Sequence, residues 1–262
     1  MLICFGVPVN SFSADKSITI TGSTTVLPIA QNAAEVFMDR NPDVNISVRG
    51  GGSGVGIASL IDGTCDIADA SRPIKDKELN NAVSRSIDPK ANVIAMDGIA
   101  VIIHPSNTVT ALTKKQLKDI YTGKISDWSQ VSGSSGKVVV VSRDSASGTF
   151  EAFNKMALDK ERVRADSLMQ ASNKAVATIA AKTPGAIGYV GLGYLSSNVK
   201  VLFIAGVKPT NETVLTGDYV LARPLFMYTN GKPTGYVKAF IDFVLSEEGQ
   251  KMVENLGFVG LK

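Results

Sequence analysis

Ile18-Thr19-Ile20-Thr21-Gly22-Ser23-Thr24-Thr25-Val26-Leu27-Pro28 sets the pattern for the rest of the chain. The first four residues alternate apolar and polar β-branched side chains, which predicts a short strand broken by Gly22. Pro28 falls where a first helical turn tolerates it, because its missing N–H would have no partner there. Ile29, Ala33, Val36 and Phe37 follow at helical spacing, and Asn41-Pro42 ends the helix.

The same alternation continues outward. Residues 44–48 read as a second strand, a glycine run follows, and residues 55–61 read as a helix before a third strand opens at Asp66. Strand–helix–strand–helix–strand order predicts an α/β fold built on a mostly parallel sheet with flanking helices. Residues 92–104 form an apolar run long enough to cross between two lobes. Beyond it, 112–128 mixes a short helix with turns, and 137–142 has a buried-strand pattern. Helices are expected from Gly148 and over 174–182. Residues 221–229 read as a strand returning to the first lobe. Val237, Phe240, Ile241, Val244 and Leu245 make a core-facing stripe on what reads as the last helix. The expected organisation is a first lobe of residues 15–98 and 216–262 and a second of 99–215, joined by hinge strands near 99–104.

At 262 residues, 44% hydrophobic and 19% charged, the chain can fill two such cores. A net charge of +3 with no Lys/Arg block argues against a nucleic-acid partner. Residues 1–9 are mostly apolar and Ser11-Phe12-Ser13-Ala14 supplies small residues, so 1–14 reads as a truncated signal peptide. Export to a periplasmic or other extracytoplasmic compartment is expected. Cys4 lies in that segment and Cys65 stands alone after it. An intramolecular disulfide or cysteine metal site is therefore not expected in the mature chain.

Four polar loops each follow a predicted strand: 22–25, 50–54, 70–72 and 143–149. Ligands of open α/β sheets bind at the carboxyl ends of strands. Three of these loops also run into helix starts, where unpaired N–H groups and the helix dipole favour an anion. Glycines allow close backbone approach, hydroxyls add donors, and Arg72 and Arg143 supply planar charged donors for an oxyanion. Together they describe a small, charged, oxygen-rich ligand. Catalytic signatures are missing. The 50–56 loop fits neither a P-loop nor a dinucleotide fingerprint, and neither Ser53 nor Ser147 sits in a nucleophile elbow. The single histidine, His104, precedes Pro105 and reads as structural. No acidic or histidine cluster has metal-ligand spacing, so neither metal nor cofactor is expected, and the chain does not read as an enzyme.

Gly22-Ser23-Thr24-Thr25-Val26-Leu27-Pro28, Gly51-Gly52-Ser53-Gly54, Asp66-Ile67-Ala68-Asp69-Ala70-Ser71-Arg72 and Ser147-Gly148-Thr149 resemble the phosphate-binding proteins of bacterial high-affinity phosphate ABC importers. Tyr121-Thr122-Gly123-Lys124-Ile125-Ser126-Asp127-Trp128 and Gly185-Ala186-Ile187-Gly188-Tyr189-Val190-Gly191 extend the likeness over nearly the whole mature chain. The resemblance implies a two-lobed periplasmic-binding-protein fold, type II-like, that passes phosphate to a membrane permease and works as a monomer. It implies phosphate contacts from Thr24, Thr25, Ser53, Gly54, Ser71 and Arg72 in the first lobe, and from Arg143, Ser147, Gly148 and Thr149 in the second. Some relatives carry an aspartate near Ser71-Arg72 that accepts the proton of hydrogen phosphate. Asp144 is the nearest replacement here, and a plain turn or cap acid is an equal reading of it. Receptors for sulfate, molybdate or tungstate, and a sensor or surface protein uncoupled from transport, remain alternatives.

Overall fold

In the computed structural model, which describes residues 16–261, β1 (Ser17–Gly22) buries Ile18 and Ile20 on one face, as their alternation requires. The expected leader and Cys4 lie outside the described residues. α1 (Leu27–Arg40) starts beside Pro28 and buries Ile29, Ala30, Ala33, Ala34 and Phe37. It leads to β2 (Asn45–Gly50), parallel to β1. α2 (Ser53–Ile61) then leads to β3 (Ile67–Ala70), parallel to β1 on its other side. The sequence reading passes over α3 (Asp76–Ser84), and its composition explains why: Ala82 is its one buried residue, so no apolar stripe marks it.

β4 (Pro89–Ile103) is the spine, and its apolar second half is buried without interruption. After it come β5 (Ala111–Leu112), α4 (Lys114–Thr122) and β6 (Val139–Arg143). α5 (Gly148–Ala157), β7 (Leu168–Gln170), α6 (Asn173–Lys182) and β8 (Ala186–Gly191) complete the central part of the second half. Short pieces β9 (Lys200–Val201), β10 (Phe203–Ile204) and α7 (Asn211–Leu215) precede the returning strand β11 (Ala222–Asn230).

The main sheet runs β2-β1-β3-β11-β4-β8-β6-β7, with β9 also on β4, and β5 pairs with β10 separately. Its outer pairs are parallel, but β11 is antiparallel to both β3 and β4, and β4 is antiparallel to β8. The sheet is thus mixed at its centre. The chain leaves the first half on β4 and returns on β11, so those two strands must run in opposite directions. β4 serves both halves: residues 89–98 pair with β11 and 99–103 with β8.

The apolar core follows the same division. One cluster holds Ile99–Ile103 with Tyr121, Phe153 and Tyr189, the last two stacked at 4.0 Å between ring centroids. The other half has two layers, one on each face of its sheet. Ile67 joins Ile20, Phe37 and Phe240 on one side, while Ala68 and Ala70 join Ile57, Leu60 and Phe226 on the other. The stripe through Phe240, Ile241 and Val244 forms α8 (Gly235–Leu245), but this is not the last helix. Ser246 accepts a bond from Gly249 N–H and starts α9 (Glu247–Asn255), whose polar sequence hides it from a periodicity reading. Among the described residues, no helix is long and apolar enough to cross a membrane.

Candidate functional site

The carboxyl ends of β1, β2 and β3 deliver Ser23-Thr24-Thr25, Ser53-Gly54 and Ser71 to one place. β6 delivers Arg143 and the start of α5 to the opposite side. The two groups touch. Thr25 Oγ1 lies 2.9 Å from Thr149 Oγ1, and Arg143 Nη2 donates to Thr24 Oγ1 at 3.2 Å. Gly54 N–H donates to Ala146 O at 3.0 Å. Glycine is required at Gly148, where a Cβ would sit 2.2 Å from Ser53 Oγ. Gly52 has φ +99°, and a Cβ there would meet Ala146 O at 2.5 Å. The lobes are closed on one another.

Arg143 is the electrostatic centre of this seam. It is 1% exposed, yet among the described residues no carboxylate hydrogen-bonds its guanidinium. Nε donates to Gln170 O and Nη2 to Ala171 O, both at 3.0 Å, while Nη1 is buried without a partner. Burial draws its pKa below the ordinary arginine value, and the group remains a cation. A buried, uncompensated guanidinium with a free N–H is a position that calls for an anion.

The hydroxyls around it are oriented by their neighbours. Thr24 Oγ1 accepts from Arg143 and from Asn173 Nδ2, the latter at 3.1 Å. Thr25 Oγ1 accepts from Asn173 at 3.0 Å and from Arg223 at 3.3 Å. Thr149 Oγ1 accepts from Arg223 at 3.1 Å, Ser53 Oγ from Ser71 N–H at 3.0 Å, and Ser147 Oγ from Phe150 N–H at 3.1 Å. A hydroxyl whose oxygen already accepts from N–H groups has its own hydrogen left to donate. Thr25 and Thr149 spend one hydrogen on the bond between them, and the remaining hydroxyls make the seam rich in donors, continued by the free N–H groups at the start of α5.

Two members of this seam escape the sequence reading. Asn173, fully buried at the start of α6, also accepts from Gly191 N–H at 3.2 Å. Arg223, near the start of β11, is paired with Asp97 through Nε and Nη2 at 3.2 and 2.9 Å. Burial pushes the Asp97 carboxyl up, against the pull of Arg223 and the Leu192 N–H, and draws Arg223 down. The signal for Arg223 was an arginine inside an otherwise apolar strand, a residue type seldom buried unless paired. Nothing local marks Asn173, which reads as an ordinary residue after the helix-capping Ser172.

Two expected site residues stand apart from the seam. Arg72 is turned to carboxylates: Glu78 takes Nη1 and Nη2 at 2.8 and 2.7 Å, and Glu151 approaches Nε at 2.8 Å. Asp144 is half-buried and its Oδ1 accepts from Ala146 N–H at 3.0 Å, the geometry of a turn acid. Thr24, Thr25, Ser53, Gly54, Ser71, Arg143, Ser147, Gly148 and Thr149 converge on the seam. His104 stays at a turn, its Nδ1 2.7 Å from Ser106 Oγ.

Two α/β lobes closed over a donor-lined seam define a binding protein of the periplasmic type. The family model described as "PBP superfamily domain" matches residues 10–248. The phosphate-binding protein PstS of Bacillus subtilis is 38% identical over 251 residues, covering 94% of this chain and 81% of that protein. PstS of Borreliella burgdorferi is 32% identical, covering 95% and 91%. A Clostridium perfringens substrate-binding protein, whose X-ray structure holds bound phosphate, superposes with TM-score 0.88 at 36% identity over 94% of this chain and all of that one. An ABC-type phosphate transport receptor from Vibrio cholerae gives TM-score 0.77 at 31% identity, covering 92% and 99%. The chain belongs to the phosphate-binding protein family of the PBP superfamily.

Proposed function

We propose that this protein captures inorganic phosphate between its lobes and delivers it to the permease subunits of an ABC importer. The lobes are taken as residues 15–98 with 216–262, and 99–215, and the work is done outside the cytoplasm after removal of a leader. The observation that carries the reading is Arg143, a buried cation with an open N–H at the centre of a hydroxyl ring. The names of the relatives support phosphate as the anion and an ABC importer as the recipient. Thr24, Thr25, Ser53 and Ser71 would donate from the first lobe, with Gly54 beside them at the seam, its N–H bonded to Ala146 O. Arg143, Ser147, Gly148 and Thr149 would donate from the second, with Asn173 and Arg223 fixing the hydroxyls. The reading requires binding and release alone, with no covalent step.

Calorimetric titration of the purified chain tests it. Phosphate should saturate one site per chain, and sulfate should bind at least tenfold more weakly, a difference of about 1.4 kcal/mol. Absence of binding heat with phosphate at several temperatures would remove the reading. Sulfate binding as tight as phosphate would move it to tetrahedral oxyanions in general.

A further inference from the structure

Beside the anion seam, three charged side chains bridge the lobes. Glu151, in the first turn of α5, accepts from Lys75 Nζ at 2.8 Å through Oε1 and lies 2.8 Å from Arg72 Nε through Oε2. Arg72 is held in place by its own lobe. Glu78 takes its two terminal nitrogens, and Pro73 O accepts a further bond from Nη1 at 2.9 Å. Nε alone is left to meet α5, and it meets Glu151 as an ion-pair contact without hydrogen-bond geometry. Glu78 is itself fixed at the third position of α3, where it also accepts from Lys75 N–H at 2.9 Å.

Within the bonded cluster, Arg72 and Lys75 against Glu78 leave the first lobe one surplus positive charge, which Glu151 meets from the other lobe; Lys155, also on α5, lines the same groove. Glu151 also sits two residues beyond Thr149 on the same helix turn, so the movement that brings Gly148 against Ser53 brings Glu151 to Arg72. The side chains of Arg72 and Glu151 are only 6% and 18% exposed, which protects the pair from screening. Lys75 is half exposed, and the three line a groove of about 380 Å³ with Ile74, Met156 and Pro224. Water can therefore reach and separate the pair once the lobes part.

We infer that Glu151 is a closure residue: with Arg72 and Lys75 it latches the lobes together and sets how long the anion is held, without touching the anion. Opening must precede release, so an interaction present only in the closed state slows release and leaves capture nearly unchanged. The ligand part of this inference rests on the phosphate reading, whereas the latch is a property of the protein alone.

The test uses spin labels at one exposed position in each lobe, with and without phosphate, in the parent and in Glu151→Gln. Without anion, Glu151→Gln should shift the interlobe distances toward longer values. With phosphate, release should quicken about fivefold, the scale of one ordered and partly shielded ion pair, and association should stay within about twofold. Should Glu151→Gln fold poorly, Lys75→Met removes one of the two bridges at a half-exposed site and should give a smaller shift in the same direction. The anion-free distances decide. Distributions that coincide between parent and variants overturn the latch. Shifted distances in a protein that binds no phosphate uphold the latch and overturn the phosphate reading instead.

Discussion

Arg72 and Arg143 occupy matching places in the two lobes, each ending a polar loop or strand that faces the seam, yet the structure gives them opposite surroundings. Arg72 meets two carboxylates, Glu78 and Glu151. Arg143 hydrogen-bonds carbonyls and a hydroxyl; its Nη1, like Arg72 Nε, has no hydrogen-bond partner, but among the described residues no carboxylate pairs with it. Both are charged and both are buried. What separates them is compensation: carboxylates face Arg72, whereas only neutral groups hydrogen-bond Arg143, the arrangement we propose takes the anion. The sequence displays the charge of each residue and conceals its partners.

The largest effect is expected at Arg143. Charge-assisted hydrogen bonds contribute roughly 1.5–3 kcal/mol each, and truncating one side of a buried charged pair costs about 2–5 kcal/mol. Arg143→Ala should therefore weaken phosphate binding at least about a hundredfold in calorimetric titration. An affinity within threefold of the parent would show that the anion does not rest on Arg143, and the contrast with Arg72 would fail.

Gly148→Ala asks whether closure itself is needed. The added methyl meets Ser53 Oγ at 2.2 Å and Ser71 Oγ at 2.8 Å, both across the seam. Gly148 has no positive φ, so alanine suits its backbone and the clash exists only when the lobes are shut. Overpacking of this kind costs roughly 1–3 kcal/mol, so affinity should fall about tenfold or more. The melting temperature without phosphate should hold within a few degrees. An unchanged affinity would mean that phosphate binds with the lobes apart.

These two residues also mark how far sequence reasoning reaches. The strand–loop–helix units were legible because period-two and period-3.6 patterns, Pro28 and the glycine run are local signals. Thr24, Thr25, Ser53, Gly148 and Thr149 were legible for the same reason, each at a strand end or helix start. Arg223 and Asn173 were not, since their role depends on β11 and α6 arriving from distant parts of the chain. The pairing of Arg72 with Glu151 joins residues 79 apart in sequence across two lobes, and no local pattern announces it. The central antiparallel strands were hidden likewise, because direction within a sheet is set by the path between lobes.

Arg72→Ala sharpens the comparison by its smaller size and different signature. Were Arg72 a ligand residue, its loss would match that of Arg143. As a latch partner it should weaken binding only about five- to tenfold, the range of a partly shielded ion pair, and chiefly through faster release. Stopped-flow release and association rates measured side by side distinguish the two roles. A hundredfold loss, shared between both rates, would return Arg72 to the anion site.

The smallest effect is expected at Asp144. Hydrogen phosphate can donate a proton where sulfate cannot, so a carboxylate facing the anion would favour phosphate and repel sulfate. On sequence grounds Asp144 is the candidate, and its amide would then narrow the preference about tenfold. Its Oδ1, however, accepts from Ala146 N–H within its own loop, and asparagine keeps that acceptor. Asp144→Asn should leave the phosphate-over-sulfate preference within about twofold, the scale of a partly exposed charge. The other nearby acids are no better placed to repel sulfate. Asp97 is committed to Arg223, and burial pushes the Asp69 carboxyl well above the usual range, which disfavours the charge that would repel sulfate. Among the described residues, Ser71 Oγ takes no N–H bond and has only Ser53 Oγ at 3.4 Å, which leaves its oxygen free to accept. If Asp144→Asn does narrow the preference tenfold in competition titrations, the loop must re-aim its carboxylate on binding. If it does not, Ser71→Ala becomes the substitution that should cost phosphate more than sulfate.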